Sequence, residues 1–300
     1  MQVLSQVAVL FLLMALGYFA ARKRILDRSA FEGLNKLVLF FSLPALTFAK
    51  LQRDAVPGQM GELAATFLIG TLSMFACGAI ALLYLRRETR DRRMVFTHMA
   101  MFSNCGYMGY PLILAALGED KMIYAVMYVA AFNLLTWTVG VYLYAGKSGV
   151  SLKKALVNPT LIAVVLGIFC FALSIRIPQM PLDAMNMLGD TTTPLVMVVI
   201  GGRLADLRLS DLKDGMLVFS CFTRLILFPL AILGVLLLLK VPQGVREAVF
   251  VCSAMPAAAA TAMQAEFYNG DGRLASRAVA VSTALSVITI PAILSVLLLL

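Results

Sequence analysis

The chain is a succession of apolar blocks, each about as long as a helix needs to cross a bilayer, separated by short polar turns. Crossing roughly 30 Å of hydrocarbon takes about 20 helical residues. The blocks run roughly 2–21, 33–50, 61–85, 94–117, 121–145, 156–175, 186–205, 215–239, 246–268 and 274–299. Of the 300 residues 61% are hydrophobic and 14% charged, against about 45–50% and about 25% in soluble domains. Too few polar residues remain to cover a soluble surface, so the pattern predicts an all-α integral membrane protein with ten transmembrane helices. The first block lacks a positive n-region and is followed by Arg22, Lys23 and Arg24. That is the pattern of a retained helix rather than a cleaved leader.

The net charge of +9 does not point to nucleic acid, because the basic residues follow the connections between blocks. Odd-numbered connections hold 18 Lys and Arg, even-numbered ones 6, and Arg224 lies inside a block. The positive-inside rule then places the odd connections in the cytoplasm and both termini outside. All five cysteines sit in apolar stretches without ligand spacing, so neither disulfides nor a metal site is expected. No phosphate-binding loop, HExxH pair or GxSxG elbow is present, and no enzyme activity or cofactor is expected.

The polar stretch 146–155 divides the chain into residues 1–145 and 156–300, five spans each. An odd number of spans per half inverts the second half relative to the first, the topology of inverted repeats. Both halves carry interruptions at corresponding places. Pro44 and Pro194 fall in spans two and seven as candidate hinges. Span four reads Ser103-Asn104-Cys105-Gly106-Tyr107-Met108-Gly109-Tyr110-Pro111, and span nine reads Ser253-Ala254-Met255-Pro256-Ala257. Proline removes a backbone donor and glycine weakens a helix, so both spans are expected to break. Half-helix N-termini are expected just after Gly109 and just after Met255, with Pro256 opening the second. Each such end carries about half a positive charge and unpaired N–H groups, which favours a carboxylate. Ser103, Asn104, Cys105, Gly106, Gly109 and Pro111, with Ser253, Met255, Pro256, Ala257 and Gln264, form the candidate binding set.

Span four resembles the Asn-x-Gly-x-x-Gly-x-Pro element of the auxin efflux carrier family, which includes bacterial transporters of malonate and malate. Met255-Pro256, with Ala275-Ser276 and Ser282-Thr283-Ala284-Leu285-Ser286, is similar to its second-half counterpart. The resemblance implies ten helices as two inverted five-helix repeats, helices four and nine broken and crossing, and an elevator-like motion of a core against a scaffold. It implies a site at Asn104, Gly106, Pro111 and Pro256, with Asn133 beside the bound carboxylate. Homodimers follow by analogy. Two departures stand out: alanines follow Pro256 where relatives often carry a polar residue, and residues 68–81 hold no carboxylate.

Arg224 is the one basic residue deep inside a span. It is read either as a counter-charge for an anionic substrate or as an arginine snorkelling to the cytoplasmic face. His98 is read as structural or as a proton sensor. Together these features predict a secondary transporter of small organic anions in a bacterial inner membrane, driven by a proton gradient or the membrane potential. A sodium-coupled carrier of the bile-acid type is the alternative, and a membrane sensor a lower one.

Overall fold

The computed structural model describes residues 2–54, 58–146, 149, 157–205 and 213–298. The expected linker 146–155 therefore lies outside the described residues apart from 146 and 149, as do Lys147, Lys153, Lys154 and Arg208. Among the described residues the regular structure is helical, in thirteen segments. They are α1 (Gln2–Arg22), α2 (Arg28–Lys50), α3 (Gln59–Tyr84), α4 (Arg90–Met101), α5 (Cys105–Leu117), α6 (Glu119–Ala145) and α7 (Pro159–Ala172), followed by α8 (Gln179–Asp190), α9 (Thr192–Leu204), α10 (Gly215–Leu238), α11 (Gln243–Ser253), α12 (Ala259–Phe267) and α13 (Gly272–Leu298). Five of them, α2, α3, α6, α10 and α13, are long and apolar enough to cross a membrane. The remaining expected spans are covered by α1, by the shorter α7, and by the pairs α4/α5, α8/α9 and α11/α12.

Side-chain placement inverts the soluble pattern. On α3 the inward stripe is Leu63, Thr66, Gly70, Met74, Cys77 and Ala81, at spacings of three and four. The outward stripe carries Leu68, Leu72, Phe75 and Leu83, all exposed. A helix that turns large apolar side chains outward, with Thr66, Gly70, Cys77 and Ala81 among its inward residues, is matched to lipid. The same economy joins α1 to α9. A Cβ built on Gly17 would overlap the Val198 carbonyl, and one on Gly201 the Met14 carbonyl. Each glycine thus receives the other helix's backbone, the close approach that small residues permit in membranes.

The contacts fall into two groups of helices. In one, α1 lies along α9, while α7 and α8 pack on the C-terminal part of α2. In the other, α3 packs on α4 and α6, α11 on α6 and α10, and α12 on α13. α5 meets α1 and α9 across the seam, where Phe11, Met14, Met108, Leu112 and Met197 line an apolar contact. At one end of the seam Lys50 pairs with Glu119 at 2.8 Å and Arg53 with Asp120 at 2.9 Å.

Three prolines in the helices follow widened turns, whereas Pro291 lies inside α13 without one. Leu43 N–H donates to Val38, Gly109 N–H to Asn104 and Phe228 N–H to Thr223, each five residues back. Pro44, Pro111 and Pro229 follow at once. A proline ring strikes the carbonyl four residues earlier, here Phe40, Tyr107 or Leu225, and each of these lies inside its π-helical turn. Pro44, expected as a hinge, therefore leaves α2 continuous. Pro194 lies in the first turn of α9, just past the α8/α9 junction at Thr191.

Four helix starts are capped by side chains. Asp27, Asn158, Asp214 and Asp271 accept from the N–H of Ala30, Leu161, Leu217 and Leu274. Asp214 also receives two parallel bonds from Arg92, both 2.9 Å. Those bonds, with the Leu217 N–H, hold its carboxyl below the usual carboxylate range against the opposing effect of burial.

Two predictions follow from this packing. Gly17→Val or Gly201→Val should push α1 from α9 and destabilise the detergent-solubilised protein by ~1–3 kcal/mol, read as a lowered thermal midpoint. Because the folded-state pKa of Asp214 is depressed, its stabilisation is complete above the unfolded carboxylate pKa and is lost as pH falls through the folded value. Midpoints measured from pH 7 downward should show Asp214→Asn with a shallower acid loss than the parent.

Candidate functional site

The helical path stops at Met101 and resumes at Cys105; it stops again at Ser253 and resumes at Ala259. Between these ends the two segments run antiparallel and pair through Ser103 and Ala257. Asn104 N–H donates to the Pro256 carbonyl at 2.8 Å, and Ala258 N–H to the Phe102 carbonyl at 2.9 Å. A third donor, Ala257 N–H, reaches Ser282 Oγ of α13 at 3.2 Å. Every group in this junction is buried: Phe102, Ser103, Ala257 and Ser282 have no exposure. Backbone groups removed from water must find partners, and here each broken segment supplies the other's.

Pro256 does not open the second half-helix, as its position in the sequence suggests. It lies in the extended segment, and α12 begins three residues later at Ala259. The reason is the pairing itself, which needs an extended backbone at Ala257 and a carbonyl at Pro256. On the first segment, helical geometry starts at Cys105 with a π turn and becomes α-helical at Tyr110, so Pro111 falls in the first α turn. Gly109 packs against Cys252 and Met255; a Cβ there would lie 3.6 Å from Cys252 Sγ and 3.7 Å from Met255 Cγ.

Arg224 enters this junction from α10. It is 1% exposed. Its Nε donates to the Met255 carbonyl at 3.2 Å, one Nη to Ser253 at 2.7 Å and the other to Ala100 at 3.1 Å. Snorkelling is thereby excluded, since the guanidinium is buried among carbonyls at the ends of α4 and α11. It sits in the π-helical turn Thr223–Leu227, next to Thr223, whose hydroxyl donates to Ser220 O and meets Tyr84 Oη at 3.4 Å.

The N-terminal ends of α5 and α12, like those of α3, α4, α8 and α11, have no side-chain cap. Neither Asn104 nor Ala258, at the two cap positions, makes a side-chain cap bond. Asn104 is 7% exposed as a residue, and among the described residues no side chain or backbone group hydrogen-bonds to its carboxamide. Ser103 Oγ faces the Cys105 thiol and has no oxygen or nitrogen partner.

Other candidates are engaged elsewhere. Ser253 Oγ turns back onto Phe250 O, and Asn133 Nδ2 onto Val129 O of its own helix. Gly106 lies within 4 Å of Val129 and Leu43, measured from a built Cβ. Gln264 joins His98 rather than the crossing. Its Nε2 donates to Thr136 O at 2.8 Å, which leaves Oε1 to accept from His98 Nε2–H at 3.1 Å. His98 Nδ1 then accepts from the Thr261 hydroxyl at 2.9 Å. This chain makes His98 a tie between α4, α6 and α12, and Gly140 leaves room for it, since a Cβ there would sit 2.9 Å from both His98 Nε2 and Gln264 Oε1. Ser282 was not in the candidate set. The signal for it was the cluster Ser282, Thr283 and Ser286, all buried on α13, hydroxyls spaced for one face of the helix.

The junction's pairing can be tested by removing one donor. Ala258 has φ −64°, a value proline adopts without strain. Ala258→Pro should leave the buried Phe102 carbonyl unpaired and cost ~1–3 kcal/mol, seen as a lower thermal midpoint in purified protein.

Residues 2–294 match the family described as membrane transport protein. A protein of Rhizobium meliloti named "Putative malonate transporter" is 27% identical over 94% of this chain and 92% of its own. An uncharacterized transporter of Methanocaldococcus jannaschii is 26% identical over 95% of each chain. The uncharacterized transporter YfdV of Escherichia coli K12 is 23% identical over 93% of this chain and 92% of its own. With its lipid-matched helices and this match along nearly its whole length, the chain is an integral membrane protein that belongs to the membrane transport protein family, the auxin efflux carrier-like transporters its motifs resemble.

Proposed function

We propose that the protein is a secondary carrier of small carboxylates, and that α4/α5 and α11/α12 are two broken spans of a ten-span, inverted-repeat architecture. The observation that carries this reading is the paired crossing, with two uncapped helix N-termini beside the unpartnered Asn104 carboxamide. Such ends present N–H donors and partial positive charge to an anion, and a half-helix pair of this kind is a carrier's usual substrate site. The name borne by the Rhizobium meliloti relative makes malonate the first anion to try.

In this reading the carboxylate sits against the starts of α5 and α12, with Asn104 as a neutral donor. The helix group containing the crossing moves against the group of α1, α2, α7, α8 and α9 in an elevator-like cycle. The apolar seam between them suits sliding because it carries few directional bonds. Both termini lie outside a bacterial inner membrane, and the proton gradient or membrane potential drives the cycle.

Uptake of labelled malonate and malate into proteoliposomes tests this, with proton, sodium and potential gradients imposed separately. Wild-type protein should accumulate at least one of the acids. Asn104→Ala should raise the apparent KM about tenfold or more, as loss of a hydrogen bond to a charged ligand implies. Dependence on sodium instead of protons or potential would favour the bile-acid-type alternative. Equal uptake by both proteins would remove Asn104 from the site.

A further inference from the structure

We infer that Arg224 is a specificity-determining residue that makes the crossing accept anions without touching the ligand, by neutralising the negative helix ends that share the junction. This rests on the carboxylate reading above.

Four helix ends meet at the crossing. The N-terminal ends of α5 and α12 each contribute about half a positive charge, and the C-terminal ends of α4 and α11 each about half a negative one. Left alone, these cancel, and the junction has no preference for either sign of ligand. Arg224 breaks the balance. Its guanidinium takes the carbonyls of Ala100 at the end of α4, Ser253 at the end of α11 and Met255 just beyond. The negative ends are thus covered by a full positive charge, and the N-terminal ends are left facing the ligand side uncompensated.

Two further observations support an anion there. Among the described residues Arg224 is the only Arg, Lys, Asp or Glu that is buried, so no protein carboxylate neutralises it. A buried, unpaired charge is strongly unfavourable, and three carbonyl bonds solvate it without cancelling it. The second observation is independent: the fully buried Ser103 hydroxyl has no oxygen or nitrogen partner at this place, and the neighbouring Asn104, 7% exposed as a residue, makes no side-chain cap bond. Arg224 thereby acts as a positioning residue as well, since one planar fork tied to both broken helices sets their mutual geometry. The sequence reading of Arg224 as a direct counter-charge is replaced by an indirect one.

The test compares a dianion with its neutral isostere. Thermal stabilisation by malonate and by malonamide is measured on purified wild type, Arg224→Lys, Arg224→Gln and Cys77→Asp. Cys77 of α3 is buried and lies within electrostatic reach of Arg224. An aspartate there brings an opposite charge near the guanidinium while leaving it in place, and so provides a neutralised variant should Arg224→Gln not fold. Wild type should prefer malonate. Arg224→Lys should keep that preference within about threefold even if its midpoint falls. Arg224→Gln and Cys77→Asp, when monodisperse, should lose it by about tenfold or more, the scale of one unit charge acting through protein. An unchanged preference in a neutralised variant overturns the inference, as does an equal loss in Arg224→Lys, which would make fork geometry rather than charge the determinant. A wild type that responds to neither malonate, malate nor acetate overturns the carboxylate reading itself, and is recognised because the parent protein is then silent.

Discussion

Extended backbone deep in an apolar protein leaves N–H and C=O groups with no water to satisfy them, and the crossing of this molecule answers that constraint. Two extended segments are cheaper than one, because each provides the ladder partner the other lacks. The Ser103–Ala257 bridge, with its flanking bonds from Asn104 and Ala258, is a minimal sheet built for this purpose. What the bridge does not reach is taken by side chains brought from elsewhere: Ser282 Oγ for Ala257 N–H, and Arg224 for three carbonyls. The groups left over are the starts of α5 and α12 and the Asn104 carboxamide, and these are the groups a ligand would need.

The same requirement explains the three widened turns that precede prolines. A transmembrane proline threatens the carbonyl four residues before it, and a π turn moves that carbonyl out of the ring's way while keeping it bonded. At Thr223–Leu227 the turn also carries Arg224 to the crossing. At Cys105–Gly109 it carries the helix into the break. Local strain relief and site geometry are thus produced by one device. The seam between the two helix groups is built differently. It is apolar in its middle and tied at one end by Lys50–Glu119 and Arg53–Asp120, exposed pairs that contribute little individually. The buried hydrogen bonds of the crossing lie within one helix group, and these exposed pairs lie between the groups.

Much of the candidate site could be read from residue order. Asn104, Gly106, Gly109, Pro111 and Pro256 announce irregular backbone because glycine and proline act locally, through their own dihedrals and missing donors. The assignments that went astray were those that depended on a partner distant in sequence. Pro256 looked like a helix start by itself, yet its carbonyl is claimed by Asn104. Gln264 looked like a ligand donor, yet His98 and Thr136 hold both ends of its carboxamide. Arg224 looked like a charge in search of water or substrate, yet three carbonyls lie within 3.2 Å of it.

The amino-acid order by itself determined that the chain is helical and membrane-embedded, and where glycine and proline disturb its helical backbone. Those properties follow from hydropathy over about twenty residues and from the covalent geometry of proline and glycine, both of which are local. Only the tertiary structure decided that the two interruptions pair with each other, that α12 starts at Ala259 and that Arg224 is shared by two helix ends. The pairing joins residues more than 150 positions apart. Hydrogen-bond satisfaction is a property of what surrounds a group in space, and residue order carries no direct record of that.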